Sequence, residues 1–185
     1  MKSPVVVMVA LEAELSRNQL PSDIPLIYSG VGKVNASIAT FKAIENYHPR
    51  LIVNYGTAGK INPDLSGLIS IHKVIQRDIM AEPLAPRGTV PFSKRPNQFV
   101  SKEDGFVCGT GDSFVTQRDL WLTENGVDVV DMELFAIAAV ATDWGIDWTS
   151  LKYISDAANE SSGHEWKGQV HQGQLLFSEW FTTYL

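Results

Sequence analysis

Little in this chain marks it as secreted, membrane-spanning or nucleic-acid-binding. Its 185 residues contain one cysteine, Cys108. That excludes an internal disulfide and makes a reducing, cytoplasmic setting the expectation. No apolar run approaches the roughly 20 residues needed to cross a bilayer. The stretch MKSPVVVMVALEAEL has one Lys, runs straight from its apolar segment into acids and offers no cleavage site, so no signal peptide is expected. Basic residues do not cluster: 15 Lys and Arg face 21 Asp and Glu, for a net charge of −6. Nucleic acid is therefore not an expected partner, because neutralising phosphates needs grouped cations. The four histidines (His48, His72, His164 and His171) lack metal-ligand spacing. The turn GVGKVN lacks the third glycine of a dinucleotide fingerprint, and no Walker lysine pattern or G-x-S-x-G elbow is present. Neither a metal nor a cofactor is expected.

What is present is a globular composition, 44% apolar and 19% charged, with enough length to bury a core as one domain, residues 1–185. Short apolar or β-branched runs predict strands at 4–11, 25–28, 51–56, 68–75, 105–110, 127–130 and 149–155. Between them, Val34, Ile38, Phe41 and Ile44 recur at helical spacing over 34–48, and 132–144 and 170–184 also read as helices. Strand–helix alternation with nearly continuous apolar strands predicts an α/β domain around a largely parallel or mixed sheet. Residues 82–98 (EPLAPRGTVPFSKRPNQ) hold four prolines and predict a long ordered loop, of a length usually reserved for function.

Polar residues fall where the strands end. VVDMELFAIAAVA (129–141) sets Asp131 and Glu133 at the junction of a strand and a helix apolar on nearly every face. Ligands of α/β sheets bind at such carboxyl ends, and helix N-termini favour carboxylates. An N-cap role accounts for Asp131 but leaves Glu133, which faces an apolar surround, unexplained. Glu12 and Glu14 follow the first strand in VALEAEL, and Asp156 follows the last in YISDAAN. Gly30 and Gly32 make a turn before a helix, and Gly56, Thr57 and Gly59 follow another strand; such turns let backbone approach a ligand.

Six stretches in order, VALEAEL, SGVGKVNAS, NYGTAGK, GTGDSFV, VVDMELFAIAAVA and YISDAAN, resemble the nucleoside phosphorylase/nucleosidase superfamily, and within it the 5'-methylthioadenosine/S-adenosylhomocysteine nucleosidases. The resemblance spans almost the whole chain and implies a three-layer α/β/α fold. It also implies roles. Glu14 matches the acid that activates the attacking water, and Asp156 the acid that contacts purine N7 and the 6-amino group. Glu133 matches the clamp on the ribose hydroxyls, Met132 its neighbour beside the sugar, and Leu11 an apolar residue near the sugar. Phe114 and Val115 match the positions that flank the base. Thr57 stands where many members have serine, and Trp166 falls near an aromatic that covers the substrate, although an ordinary packed Trp accounts for it as well. Asp131 and Lys152 replace a Glu and an Arg common in the family; they keep both signs and are placed to support Glu133.

N-glycosidic cleavage develops positive charge on the sugar and negative charge on the purine. A carboxylic acid at N7 and a carboxylate that takes a proton from water on the opposite face therefore suit this chemistry. Superfamily phosphorylases bind phosphate with arginines beside the glycine turn and in an early loop, where this chain has VNY and LEAE; acids there repel phosphate. Asp rather than Asn at 156 favours a 6-amino base. The expectation is hydrolysis of an adenine nucleoside by a homodimer, with a phosphate-dependent purine nucleoside phosphorylase or a non-catalytic nucleoside-binding module as alternatives. The chain is shorter than typical members between Glu14 and Tyr28, which leaves the 5' group of the substrate open.

Overall fold

The computed structural model of the protein describes residues 5–185. Along the chain run β1 (Val5–Val9), β2 (Leu26–Tyr28), α1 (Lys33–Tyr47), β3 (Leu51–Lys60), β4 (Leu68–Gln76), β5 (Gln98–Val100), β6 (Phe106–Thr110), α2 (Leu120–Glu124), β7 (Val129–Asp131), α3 (Leu134–Asp143), β8 (Asp147–Asp156), α4 (Ser162–Gln169) and α5 (Gln174–Tyr184). Each of the seven expected strands is present, with ends shifted by a few residues. Pro4, counted in the first of them, lies outside the described residues. Two expectations need correction. The helix read over 170–184 begins only at Gln174, and a separate helix, α4, occupies 162–169 in a stretch too polar to show a periodic apolar face. The Pro-rich loop ends one residue early, where Gln98 opens the short edge strand β5.

The sheet order is β2-β1-β3-β7-β6-β4-β5, and β8 pairs with both β3 and β4. Strands β3, β7, β6, β4 and β8 thus close a ring. Pairing is mixed: β7 runs antiparallel to β3, and β4 antiparallel to β5 and β8, while the other pairs are parallel.

Period-two alternation explains why β1 is apolar throughout. Val6 and Met8 face the layer of α1 and α3, where Ala36, Ile44, Leu134 and Ile137 pack. Val7 and Val9 face the opposite layer, against Phe177 and Phe181 of α5. A strand covered on both sides has no polar face to show, and three layers result. In the second layer Phe177 stacks on Tyr55 with ring centroids 4.4 Å apart. Helix α1 ends where His48 adopts a left-handed conformation (φ 45°) and its amide reaches back to Ile44 O; Pro49 then blocks continuation.

Two features of this frame aim side chains at one spot. Strands β1, β3, β7 and β8 bring their polar ends together, and the β3–β8 register slips between Ala58 and Gly59, so that Gly59 faces Asp156 instead of Ser155. A bulge of this kind redirects a side chain.

Candidate active site

Glu14, Glu133 and Asp156 line a single cavity at these strand ends. Leu11, Thr57, Phe114, Val115, Met132 and Trp166 line it too, as does Asp131, while Lys152 lies beneath. Each candidate site residue that the resemblance implied lines this cavity, except Lys152, which lies behind Asp131; Glu12, also named at the end of the first strand, is exposed and does not line it. Among the described residues no group of His, Cys, Asp or Glu side chains is placed to hold a metal ion, and no helix is long and apolar enough to cross a membrane.

Glu14 sits in a tight turn after β1 and is buried. Its Oε2 accepts from the Leu11 amide at 3.1 Å. Its Oε1 accepts from the Thr57 amide at 2.8 Å and the Thr57 hydroxyl at 2.7 Å. Two donors fill Oε1, and one lone pair of Oε2 remains free for a water. The two glycines of NYGTAGK make room for the acids. A Cβ on Gly56 would meet Glu14 Oε1 and Lys152 Nζ, each at 3.4 Å; on Gly59 it would strike Asp156 Oδ1 at 2.6 Å. Asp156 is fixed by the Ala158 amide on Oδ1 (3.0 Å) and the Ser155 hydroxyl on Oδ2 (2.8 Å).

Asp131 and Glu133 divide two tasks. Asp131 Oδ2 accepts from the Leu134 amide at 2.9 Å, which caps α3, and pairs with Lys152 Nζ at 2.8 Å, both side chains only 1% exposed. Its Oδ1 takes the Thr110 hydroxyl at 2.5 Å. Burial opposes the charges of both partners, but their attraction wins: Asp131 is held below the usual carboxylate range and Lys152 above its ordinary value. Glu133 makes no cap bond; its Oε1 accepts the Gly32 amide at 2.8 Å, which is possible because Gly32 holds φ 95° at the turn before α1. Burial, and then the charge of Asp131, push the Glu133 carboxyl up to about 8, with Lys152 opposing. Lys152 is already matched by Asp131, so ionising Glu133 would put an uncompensated charge in an apolar pocket.

The sequence reading missed Arg77. It follows β4, is buried, and lines the cavity. Its guanidinium donates to Gly109 O and Gly111 O, each at 3.1 Å, and to Ser113 O, binding down the loop that carries Phe114 and Val115. The available signal was a lone Arg directly after an apolar strand, VIQRD, which is where a strand-end group belongs.

Comparison with known proteins agrees with this geometry. Residues 15–175 match the family model described as the phosphorylase superfamily. The chain is 31% identical over 166 residues to the 5'-methylthioadenosine/S-adenosylhomocysteine nucleosidase of Shewanella halifaxensis, covering 76% of this chain and 71% of that one. With the enzyme of the same name from Geobacillus kaustophilus it shares 27% over 194 residues, covering 89% and 83%. The fold superposes with a TM-score of 0.88 on a Helicobacter pylori enzyme of this kind, an Asp-to-Asn mutant with 5'-methylthioadenosine in its active site, at 18% identity and 99% and 98% coverage. The chain belongs to the phosphorylase superfamily and, within it, to the family of the 5'-methylthioadenosine/S-adenosylhomocysteine nucleosidases.

The raised carboxyl of Glu133 has a consequence for stability. Between its ordinary value of 4.5 and about 8 the folded protein keeps a proton that the unfolded chain has released. The stabilisation from that proton is complete at low pH, declines as pH rises through this window, and is gone above it, at up to about 1.4 kcal/mol per pH unit. Gln cannot titrate. Thermal denaturation from pH 5 to 9 should show Glu133→Gln gaining on the parent up to about pH 8 and holding a constant lead beyond. A difference that ignores pH would contradict the assignment.

Proposed function

We propose that the protein hydrolyses the N-glycosidic bond of an adenine nucleoside such as 5'-methylthioadenosine or S-adenosylhomocysteine and releases adenine. One observation supports this most: three carboxyl groups from separate strand ends, Glu14, Glu133 and Asp156, meet in one apolar-walled cavity. Their supports suit three different tasks. Phe114 and Val115 flank the base, Asp156 meets its N7 and 6-amino edge, and Met132 and Glu133 take the sugar face and its hydroxyls. Glu14, across the sugar from the base, holds a water on the free site of Oε2. As the C1'–N9 bond breaks, its electrons pass to the purine and N7 takes a proton from the carboxyl group of Asp156. The water oxygen bonds to C1' and its proton passes to Glu14.

Hydrolysis fits better than phosphorolysis for an electrostatic reason. The glycine turn beside which phosphorylases of the superfamily place an arginine lies against Glu14 here, and the two cations near the cavity are engaged, Lys152 by Asp131 and Arg77 by the carbonyls of Gly109, Gly111 and Ser113. Binding without turnover would not need the acceptor site that Glu14 Oε2 keeps open once its three bonds to Leu11 and Thr57 are made.

Glu14→Gln should still bind adenine nucleosides with a Kd close to the parent's, while Asp156→Asn, whose amide suits a 6-oxo base, should bind them more weakly. Each should release adenine at least about 100-fold more slowly, the usual cost of losing one positioned acid or base. Adenine release followed by chromatography, with Kd by calorimetry, measures both. Turnover within about tenfold of the parent would remove that residue from its role.

The same reading includes a homodimer. Helix α1 leaves Val34 70% exposed, with Ile38 and Phe41 beside it on one stripe, and the loop after β4 exposes Leu84 and, almost wholly, Phe92. A lone domain gains nothing by presenting such apolar surface. Light scattering should give twice the monomer mass at micromolar concentration, and Phe41→Glu should halve it. A fully active monomer would exclude the dimer.

A further inference from the structure

Trp166 falls near an aromatic that covers the substrate in the resembled family, with ordinary packing as the alternative; it lines the cavity, and its polar atom bonds within the protein. On α4 its indole Nε1 donates to Thr57 Oγ1 at 2.9 Å, and Thr57 Oγ1 lies 2.7 Å from Glu14 Oε1. An indole N–H only donates, and a hydroxyl has one proton. With Trp166 donating to it, Thr57 can direct its proton to Glu14 alone. Oε1 then holds two donors, the Thr57 amide and hydroxyl, while Oε2 holds only the Leu11 amide. The two oxygens of Glu14 are thereby made unequal, and the less occupied one is the better proton acceptor.

We infer that Trp166 is a positioning residue: through Thr57 it orients Glu14 so that Oε2 is the oxygen that takes the proton from water. This rests on the nucleosidase reading above. Helix α4 does not depend on the indole for its place. Glu165 Oε2 accepts the Ala157 amide at 3.1 Å, and Ser162 Oγ accepts the Asn159 amide at 2.7 Å. These bonds anchor the helix beside Asp156 at the end of β8, so the segment after β8 reaches both acids, Asp156 through the Ala158 amide and Glu14 through Thr57. Removing the indole N–H while keeping a ring should leave the fold and the cavity wall intact.

The test is a double-mutant cycle on the full chain with 5'-methylthioadenosine, using Trp166→Phe, Thr57→Val and the pair, with Thr57→Ser as the conservative control. Trp166→Phe should lower kcat about three- to tenfold, the effect of one hydrogen bond, and leave KM within about twofold. Thr57→Val should lower kcat at least as much, Thr57→Ser should retain most of it, and adding Trp166→Phe to Thr57→Val should cost nothing further. Unchanged melting temperatures establish that the variants are folded. Losses that simply add, or a Trp166→Phe defect found only in KM, would mean that Trp166 merely covers the substrate, and would overturn the relay while the hydrolase reading stands. A parent that releases no adenine would overturn both.

Discussion

The ion pair between Lys152 and Asp131 is the constraint on which the site depends. It is dry, joining the end of β7 to the middle of β8. Taking two charges out of water costs several kcal/mol per ion, so such a pair persists only when further hydrogen bonds complete it. Here the Thr110 hydroxyl and the Leu134 amide do so on Asp131. The pair gives no clear gain in stability over apolar side chains of the same size. Its effect is to set charge. Because Lys152 is matched by Asp131, Glu133 has no free cation beside it and holds its proton well above the ordinary carboxyl range. The same Lys152 lies close to Gly56, and so does Glu14.

From that pair outward, three carboxyl groups acquire three environments. Glu133 has its carboxyl pushed up by burial and by the charge of Asp131, and it is bonded to a backbone amide from the glycine turn. Glu14 is bound by three donors, with one acceptor site left for water. Asp156 is turned inward by a bulge in β8 and fits only because Gly59 has no side chain. The proposed cleavage at a glycosidic carbon needs such an inequality: one acid, one base and one clamp.

Much of this was legible in the sequence, for identifiable reasons. β1 and β3 are buried on both faces, so their apolar runs are nearly continuous; α3 is apolar almost all round, so its burial was plain. The acids announced themselves because a carboxylate at the mouth of an apolar segment is costly without a purpose. Asp131 needed a cap to explain it and Glu133 did not fit one, and the structure separates the two in that way. What escaped was short or made by tertiary contact. β5 is three residues at a sheet edge inside a Pro-rich tract, and α2 is barely more than a turn. α4 is polar, with only Ser162 fully buried, so no periodicity betrays it. Arg77 and the indole bond of Trp166 depend on partners 32 or more residues away, which spacing along the chain does not encode.

The proposed hydrolysis has water, held by Glu14, as the nucleophile at C1'. The direct measurement is turnover of 5'-methylthioadenosine in ¹⁸O-labelled water containing phosphate, with the sugar product analysed by mass spectrometry. Attack by water predicts one adenine released per free sugar, with ¹⁸O at C1' and no dependence of rate on phosphate. A sugar 1-phosphate without the label, formed only when phosphate is present, would contradict it.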